Sequence, residues 1–170
     1  MYVHRGQSPI GEILLLSDGT SLTGLRFMDF REATAEPAEE CFLPVFARTT
    51  EWLDCYFSGR IPDFIPPLVL NASPFCRAVY HAVSTIPYGE TATYGAIARR
   101  LTETGMRKSA SARAVGAALA RNPILLIIPC HRVVGADGSL TGYAAGTERK
   151  RRLLLLEHDF GDFKKIEKYG

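Results

Sequence analysis

Four prolines, Pro62, Pro66, Pro67 and Pro74, fall in the stretch from Ser58 to Pro74, and they limit what this chain can build more than any other feature. Proline fixes φ and has no N–H to give to a helix or a ladder, so the stretch can hold only a short edge strand, around Leu68 to Leu70. It reads as a linker. It divides the chain into a segment 1–73 and a segment 74–170, and 170 residues fit one or two small domains with a real core. In the first segment, Glu12 to Ser17 and Ser21 to Phe27 are apolar runs around Asp18-Gly19, a dipeptide that favours a tight antiparallel hairpin. Arg31 to Glu40 is acidic and alanine-rich and contains a proline, which reads as a surface loop. Val45, Trp52, Leu53, Tyr56 and Phe57 fall on helical spacing, with Pro44 suited to a first turn and Gly59 just past the end, so Pro44 to Phe57 is predicted to be a helix.

The second segment is patterned differently. Ser73 and Pro74 suit the cap and first residue of a helix whose core face is Phe75, Val79, Ala82, Val83 and Ile86, and Pro87-Tyr88-Gly89 ends it. Tyr94, Ile97, Ala98 and Leu101 stand at i, i+3, i+4 and i+7, the stripe of a short buried helix. After a polar stretch from Thr102 to Ser109, Ser111 caps a further run from Ala112 to Arg121. These two helices are similar to a helix-turn-helix, with a connection longer than the usual three or four residues around Met106, Arg107 and Lys108. Ile124 to Ile128 reads as a buried strand that ends in a tight turn. The fold class expected is α+β.

Charge separates the two segments as well. Residues 1–75 hold 5 Lys and Arg against 10 Asp and Glu, while residues 76–170 hold 15 against 8, so net charges of −5 and +7 lie within an overall +2. A basic half beside a helix-turn-helix-like pattern is a candidate for binding a polyanion. No apolar run approaches the ~18 residues that span a bilayer, and no basic, apolar leader opens the chain, so a cytoplasmic location is expected. Cys41, Cys55, Cys76 and Cys130 are widely spaced and form no C-x-x-C pair, which argues against a disulfide scaffold or a zinc knuckle.

Chemistry concentrates at Ile128-Pro129-Cys130-His131-Arg132-Val133-Val134, where a thiol and an imidazole stand side by side after the apolar run. The thiolate is the nucleophile, and an ordinary cysteine with a pKa near ~8.5 is only slightly ionised at neutral pH, so a reacting Cys130 needs a neighbour to take its proton. His131 is the nearest candidate. Adjacent side chains on a strand point to opposite faces, so the two can cooperate only if the backbone turns, and Pro129 favours a turn. Upstream, the helix Ala112 to Arg121 is crowded with small residues: Ala112, Ala114, Gly116, Ala117, Ala118 and Ala120. An interior glycine costs about 1 kcal/mol against alanine, which a close approach would offset, whether to the core or to a bound groove.

The heptapeptide resembles the active-site motif of the O6-alkylguanine-DNA alkyltransferases, also called methylated-DNA-protein-cysteine methyltransferases. The likeness extends in order through Tyr94, Arg113, Asn122, Tyr143 and Glu157, is close over residues 74–170 and looser before them. It implies a structural N-terminal domain, 1–73, with a ribonuclease H-like antiparallel sheet, and a mainly helical domain, 74–170, with a winged helix-turn-helix that binds DNA. The activity implied is single use: an alkyl group moves from O6-alkylguanine, and from O4-alkylthymine, in double-stranded DNA to Cys130 and stays there. Glu157, 27 positions after Cys130, would orient His131, and Tyr94 would displace a phosphate and bond the flipped guanine. Arg113 would fill the gap in the base stack while Ala112, Ala114, Gly116 and Ala117 let the helix backbone approach the minor groove. Asn122 would tie the helix end to the active-site turn. Tyr143, Ala144, Ala145 and Val133 would line the base pocket, the Ala144 N–H meeting O6 and the carbonyls of Cys130 and Val133 accepting from the exocyclic amine. Ala145 stands where the family commonly has glycine. A monomer with no metal and no cofactor is implied.

The residues alone admit other readings. Arg113 could be a solvated arginine or a phosphate contact, Tyr94 a core aromatic, Asn122 a plain helix cap and Glu157 a surface acid. Arg149, Lys150, Arg151 and Arg152 read as a solvated or phosphate-facing stripe. A thiol hydrolase would use the same Cys-His-Glu trio but would need an oxyanion hole and would turn over. A DNA-binding protein without activity would leave Cys130 inert.

Overall fold

A computed structural model describes residues 1–28, 39–106 and 108–159. The chain divides into two compact units, one of Met1–Asn71 with Pro123–Leu125 and the other of 72–122 with the residues from 126 onward.

In the first unit β1 (Tyr2–Ser8), β2 (Gly11–Ser17) and β3 (Leu22–Phe27) form an antiparallel sheet, and the two residues of β4 (Glu39–Glu40) pair in parallel with β1, in the order β3-β2-β1-β4. The expected hairpin is β2 and β3. Its turn is held by the Asp18 carboxylate, which accepts from the backbone N–H of Thr20 and Ser21 at 2.9 and 2.8 Å, while Gly19 takes a φ of +114°. The α-helix α1 (Pro44–Phe57) has the bounds that the sequence predicts and packs on all three long strands through Val45, Phe46, Trp52, Leu53 and Tyr56. Around Leu68 there is a single parallel bridge to Leu22, not the short strand expected. Pro66 and Pro67 deny the ladder its donors. Apart from Glu39 and Glu40, the acidic stretch expected to be a loop lies mostly outside the described residues.

In the second unit α2 (Pro74–Ser84), α3 (Tyr94–Glu103) and α4 (Ala112–Leu119) contact one another, and β5 (Ala92–Thr93) pairs in parallel with β6 (Val133–Val134). Each helix starts on a hydroxyl cap: Ser73 accepts from Cys76 N at 3.2 Å, Thr93 from Ala96 N at 3.1 Å and Ser111 from Ala114 N at 3.1 Å. Such caps contribute about 1 kcal/mol each. The core face of α2 is Cys76, Val79, Tyr80, Ala82 and Val83, with Phe75 only half-buried, and the Tyr80 hydroxyl donates to Ala118 O at the end of α4 at 3.1 Å. The last helix among the described residues is α5 (Thr147–Asp159), whose Leu153 and Leu154 are buried.

One expected element is absent. Ile124 to Ile128 is largely buried but is not a strand: Ile124 makes one bridge to Leu25, and Leu126 takes a φ of +69° that no strand tolerates. A short apolar run does not by itself distinguish strand from buried turn. Pro123–Leu125 joins the first unit, with Leu25 N donating to Pro123 O and Leu125 N to Leu25 O, both at 2.9 Å, and the turn at Leu126 returns the chain to the second.

Candidate active site

Cys130, His131 and Arg132 form one turn of 3-10 helix, entered from Pro129 and closed by Arg132 N donating to Pro129 O at 3.0 Å. The backbone therefore bends where the cysteine and histidine meet, as their cooperation requires. Both side chains are buried, and so are Asn122 and Glu157, which excludes the reading of Glu157 as a surface acid. Asn122 Nδ2 donates to Ile128 O at 3.0 Å and to Cys130 Sγ at 3.2 Å, so one amide fixes the approach to the turn and solvates the sulfur. On the other side, His131 Nε2 lies 2.7 Å from Glu157 Oε1. An ionised carboxylate only accepts, so Nε2 carries the hydrogen and Nδ1 is the nitrogen that can take a proton.

Electrostatics agrees with that assignment. Burial pushes the Cys130 thiol up to about 11, against the opposing effects of Asn122 and Lys150, so the resting sulfur is protonated. Burial also holds the His131 imidazole below its ordinary value, against the pull of Glu157. For Glu157 burial opposes ionisation, but His131 and Arg132 outweigh it and keep the carboxyl well below the usual carboxylate range. The resting site holds a thiol, a neutral imidazole and a carboxylate.

A second cluster adjoins the first. The half-buried Tyr94 donates its hydroxyl to Thr141 O at 2.6 Å, and Lys150 Nζ donates to Val133 O at 2.5 Å and Thr141 O at 2.9 Å, 3.5 Å from the Tyr94 hydroxyl. Lys150 is fully buried, so it does not belong to the solvated stripe expected of 149–152, whereas Arg151 and Arg152 do, pairing with exposed Glu148. Its burial lowers the ammonium to about 8. Gly142 has a φ of +71°, and a Cβ there would sit 3.2 Å from the Tyr94 hydroxyl.

The residues expected to line a base pocket are placed as follows. Tyr143 is buried edge-on to His131, with ring centroids 6.3 Å apart, and its hydroxyl has no hydrogen-bond partner among the described residues. Ala145 is buried and Ala144 exposed. Arg113, Ala112 and Ala117 are exposed on α4, away from this buried chain of bonds, while Ala114 and Gly116 are half-buried. A methyl group at Gly116 would meet the Tyr94 ring at 3.8 Å, an ordinary contact, so packing does not demand a glycine there.

Sequence reasoning missed Lys150, Arg132, Gly89 and Thr141. A signal existed for Lys150: with Leu153, Leu154 and Glu157 it stands at i, i+3, i+4 and i+7, one face of α5. Nothing comparable marked the Thr141 carbonyl or the Gly89 N–H, which donates to Glu157 Oε2 at 3.2 Å. Among the described residues no group of His, Cys, Asp or Glu could hold a metal ion. The first unit carries a concavity of about 590 Å³ beside His4, Asp54, Cys55 and Arg60, and none of the expected site residues lines it.

Two family models match the chain: a 6-O-methylguanine DNA methyltransferase ribonuclease-like domain over residues 1–70, and a 6-O-methylguanine DNA methyltransferase DNA-binding domain over 74–159. A methylated-DNA–protein-cysteine methyltransferase of Mycobacterium leprae is 45% identical over 153 residues, 88% of each chain, and one of Methanosarcina acetivorans is 42% identical over 158 residues, 92% of this chain and 98% of its own. Among solved structures, the Mycobacterium tuberculosis protein in complex with DNA superposes with a TM-score of 0.80 at 37% identity, covering 99% of this chain and 95% of that one. Fold, buried thiol and both matched domains define a two-domain DNA alkyltransferase class. Within it, the chain belongs to the 6-O-methylguanine DNA methyltransferase family.

Proposed function

We propose that this protein repairs O6-alkylguanine in double-stranded DNA by moving the alkyl group to Cys130. The observation that carries the proposal is the buried chain Asn122–Cys130 and His131–Glu157 in a member of this family. His131 takes the thiol proton, the sulfur attacks the alkyl carbon, the S–C bond forms as the O6–C bond breaks, and guanine leaves as the neutral base after gaining a proton. The Asn122 amide supports the sulfur as it ionises. Tyr94 and the Ala144 N–H stabilise the departing guanine; Tyr94 must first turn its hydroxyl from Thr141 O, and Lys150, bonded to that same carbonyl, stays beside it. A thioether has no easy hydrolytic exit, so each chain acts once.

The finer parts of the reading rest on the same site. Chemistry on a base inside a duplex requires extrusion. Arg113, exposed near the start of α4, is the side chain assigned to the vacated stack, and the small residues beside it face the minor groove as the second helix of a helix-turn-helix. The first unit is structural, the protein works as a monomer in the cytoplasm, and O4-alkylthymine is a second substrate. The test is intact-mass measurement after incubation with O6-methylguanine duplex: one methyl group per chain on Cys130 supports the proposal, and turnover beyond one equivalent or label on another cysteine contradicts it.

A further inference from the structure

The carboxylate behind His131 is held from two sides. Arg132 Nε donates to Glu157 Oε2 at 2.9 Å, Arg132 Nη2 to Glu157 Oε1 at 3.1 Å, and the remaining nitrogen, Nη1, to Ile86 O at 2.8 Å. All three guanidinium nitrogens are therefore used, with the Tyr88 ring centroid 5.6 Å from the guanidinium carbon and the Arg132 side chain only 11% exposed. Lysine, a single point of charge, cannot make that fork. A carboxylate with no exposure must have its charge balanced close by, because an unpaired buried charge is strongly destabilising. Among the described residues, His131 and Arg132 both bond to Glu157 and either could balance it: His131 by becoming an imidazolium, or Arg132, which is always charged.

We propose that Arg132 is a positioning residue that neutralises and aims Glu157, so that His131 stays neutral with its hydrogen on Nε2 and an unprotonated Nδ1 that takes the Cys130 proton. The inference deepens the proposed reaction and rests on it for the role of His131. Without Arg132, the buried carboxylate draws a proton onto the imidazole, and a histidine that already holds that proton cannot be the base. Among the described residues, the further groups placed around His131 push the same way as Arg132 or carry no resting charge. Lys150 on α5 is a second cation, while the Cys130 thiol and the Tyr143 hydroxyl are neutral at pH 7. The Gly89 N–H adds a neutral donor to Oε2 and cannot replace the charge.

The test is the protonation of His131 itself, read from imidazole nitrogen-15 chemical shifts in the DNA-free protein, together with the methyl-transfer rate against pH. The parent protein should show a neutral, Nε2–H ring at pH 7. In Arg132→Gln the ring should be an imidazolium at pH 7, transfer should fall by about a hundredfold, the scale of a lost general base, and part of the rate should return by pH 9. Arg132→Lys keeps the charge without the fork, so His131 should stay neutral while transfer slows severalfold with no shift of the profile. A neutral ring in folded Arg132→Gln, or an equal rate loss at pH 7 and pH 9, overturns the proposal. If Arg132→Gln does not fold, a parent-like rate in Arg132→Lys overturns it instead. The nitrogen-15 reading needs no methyl transfer, so failure of the parent protein to accept a methyl group would sink the proposed reaction and leave this result to be judged separately.

Discussion

A buried thiol whose proton affinity is raised should be a poor nucleophile until something takes its proton. With Cys130 pushed up to about 11, iodoacetamide should label it slowly at pH 8 and faster as the pH climbs, and Asn122→Ala, which removes the donor at 3.2 Å, should move that rise to higher pH. A parent-like profile in Asn122→Ala would leave the amide with only its bond to Ile128 O. Glu157 gives the opposite sign. Its folded value lies below the ordinary one, so its contribution to stability is present above about pH 4.5 and is lost as the pH falls toward that folded value. Glu157→Gln should lower stability at pH 7 by roughly 3 kcal/mol, the scale of a broken buried pair, and flatten the acid limb of the stability curve. Urea melts of both proteins from pH 3 to pH 7 measure this, and parallel curves would count against it. The sequence made Cys130 and His131 legible because they are neighbours in a motif. Glu157 was legible by resemblance alone, since its partner is 26 residues away in the chain.

Among the elements, α5 carries two site groups on its buried face, Lys150 and Glu157, two turns apart. Lys150 binds protons less readily when folded, at about 8, than at its ordinary 10.5, so the unfolded chain holds more protons between those values and stability should rise with pH across them. Lys150→Met should remove that rise, while slowing transfer through the loss of the bonds to Val133 O and Thr141 O; persistence of the rise would place its origin elsewhere. In α4, Gly116→Ala should stabilise the protein by about 0.5–1 kcal/mol through helix propensity, because the added methyl meets only ordinary contact with Tyr94. A loss of stability in thermal melts would mean that the helix is packed more tightly than that distance allows. Elements with local signals were read well: the Asp18-Gly19 hairpin, Pro44–Phe57, and the hydroxyl caps Ser73 and Ser111. β1 was missed because YVHRGQS buries only Val3 and shows no clean alternation, and Ile124 to Ile128 was misread because Leu126 turns at a residue type that rarely turns.

For the whole molecule, the division of charge and the division of structure coincide closely: the acidic segment corresponds to the sheet and α1, the basic segment to the helices around Cys130. The return of Pro123–Leu125 to the first unit depends on backbone bonds to Leu25, which no pattern in the sequence announces. If the basic half binds phosphates, affinity for duplex DNA should fall steeply with salt, and Cys130→Ser should keep that binding while losing transfer. Arg113→Ala should slow transfer strongly on duplex DNA and far less with a free O6-alkylguanine base, which needs no extrusion; equal losses would assign Arg113 to the fold or the pocket instead. In the proposed reaction one buried cysteine takes one alkyl group and keeps it. Intact-mass spectrometry after incubation with excess O6-methylguanine duplex tests it most directly. A single methyl group per chain, mapped to Cys130 and absent in Cys130→Ser, is the expected result, and continued release of guanine beyond one equivalent, or a methyl group on Cys41, Cys55 or Cys76, would contradict it.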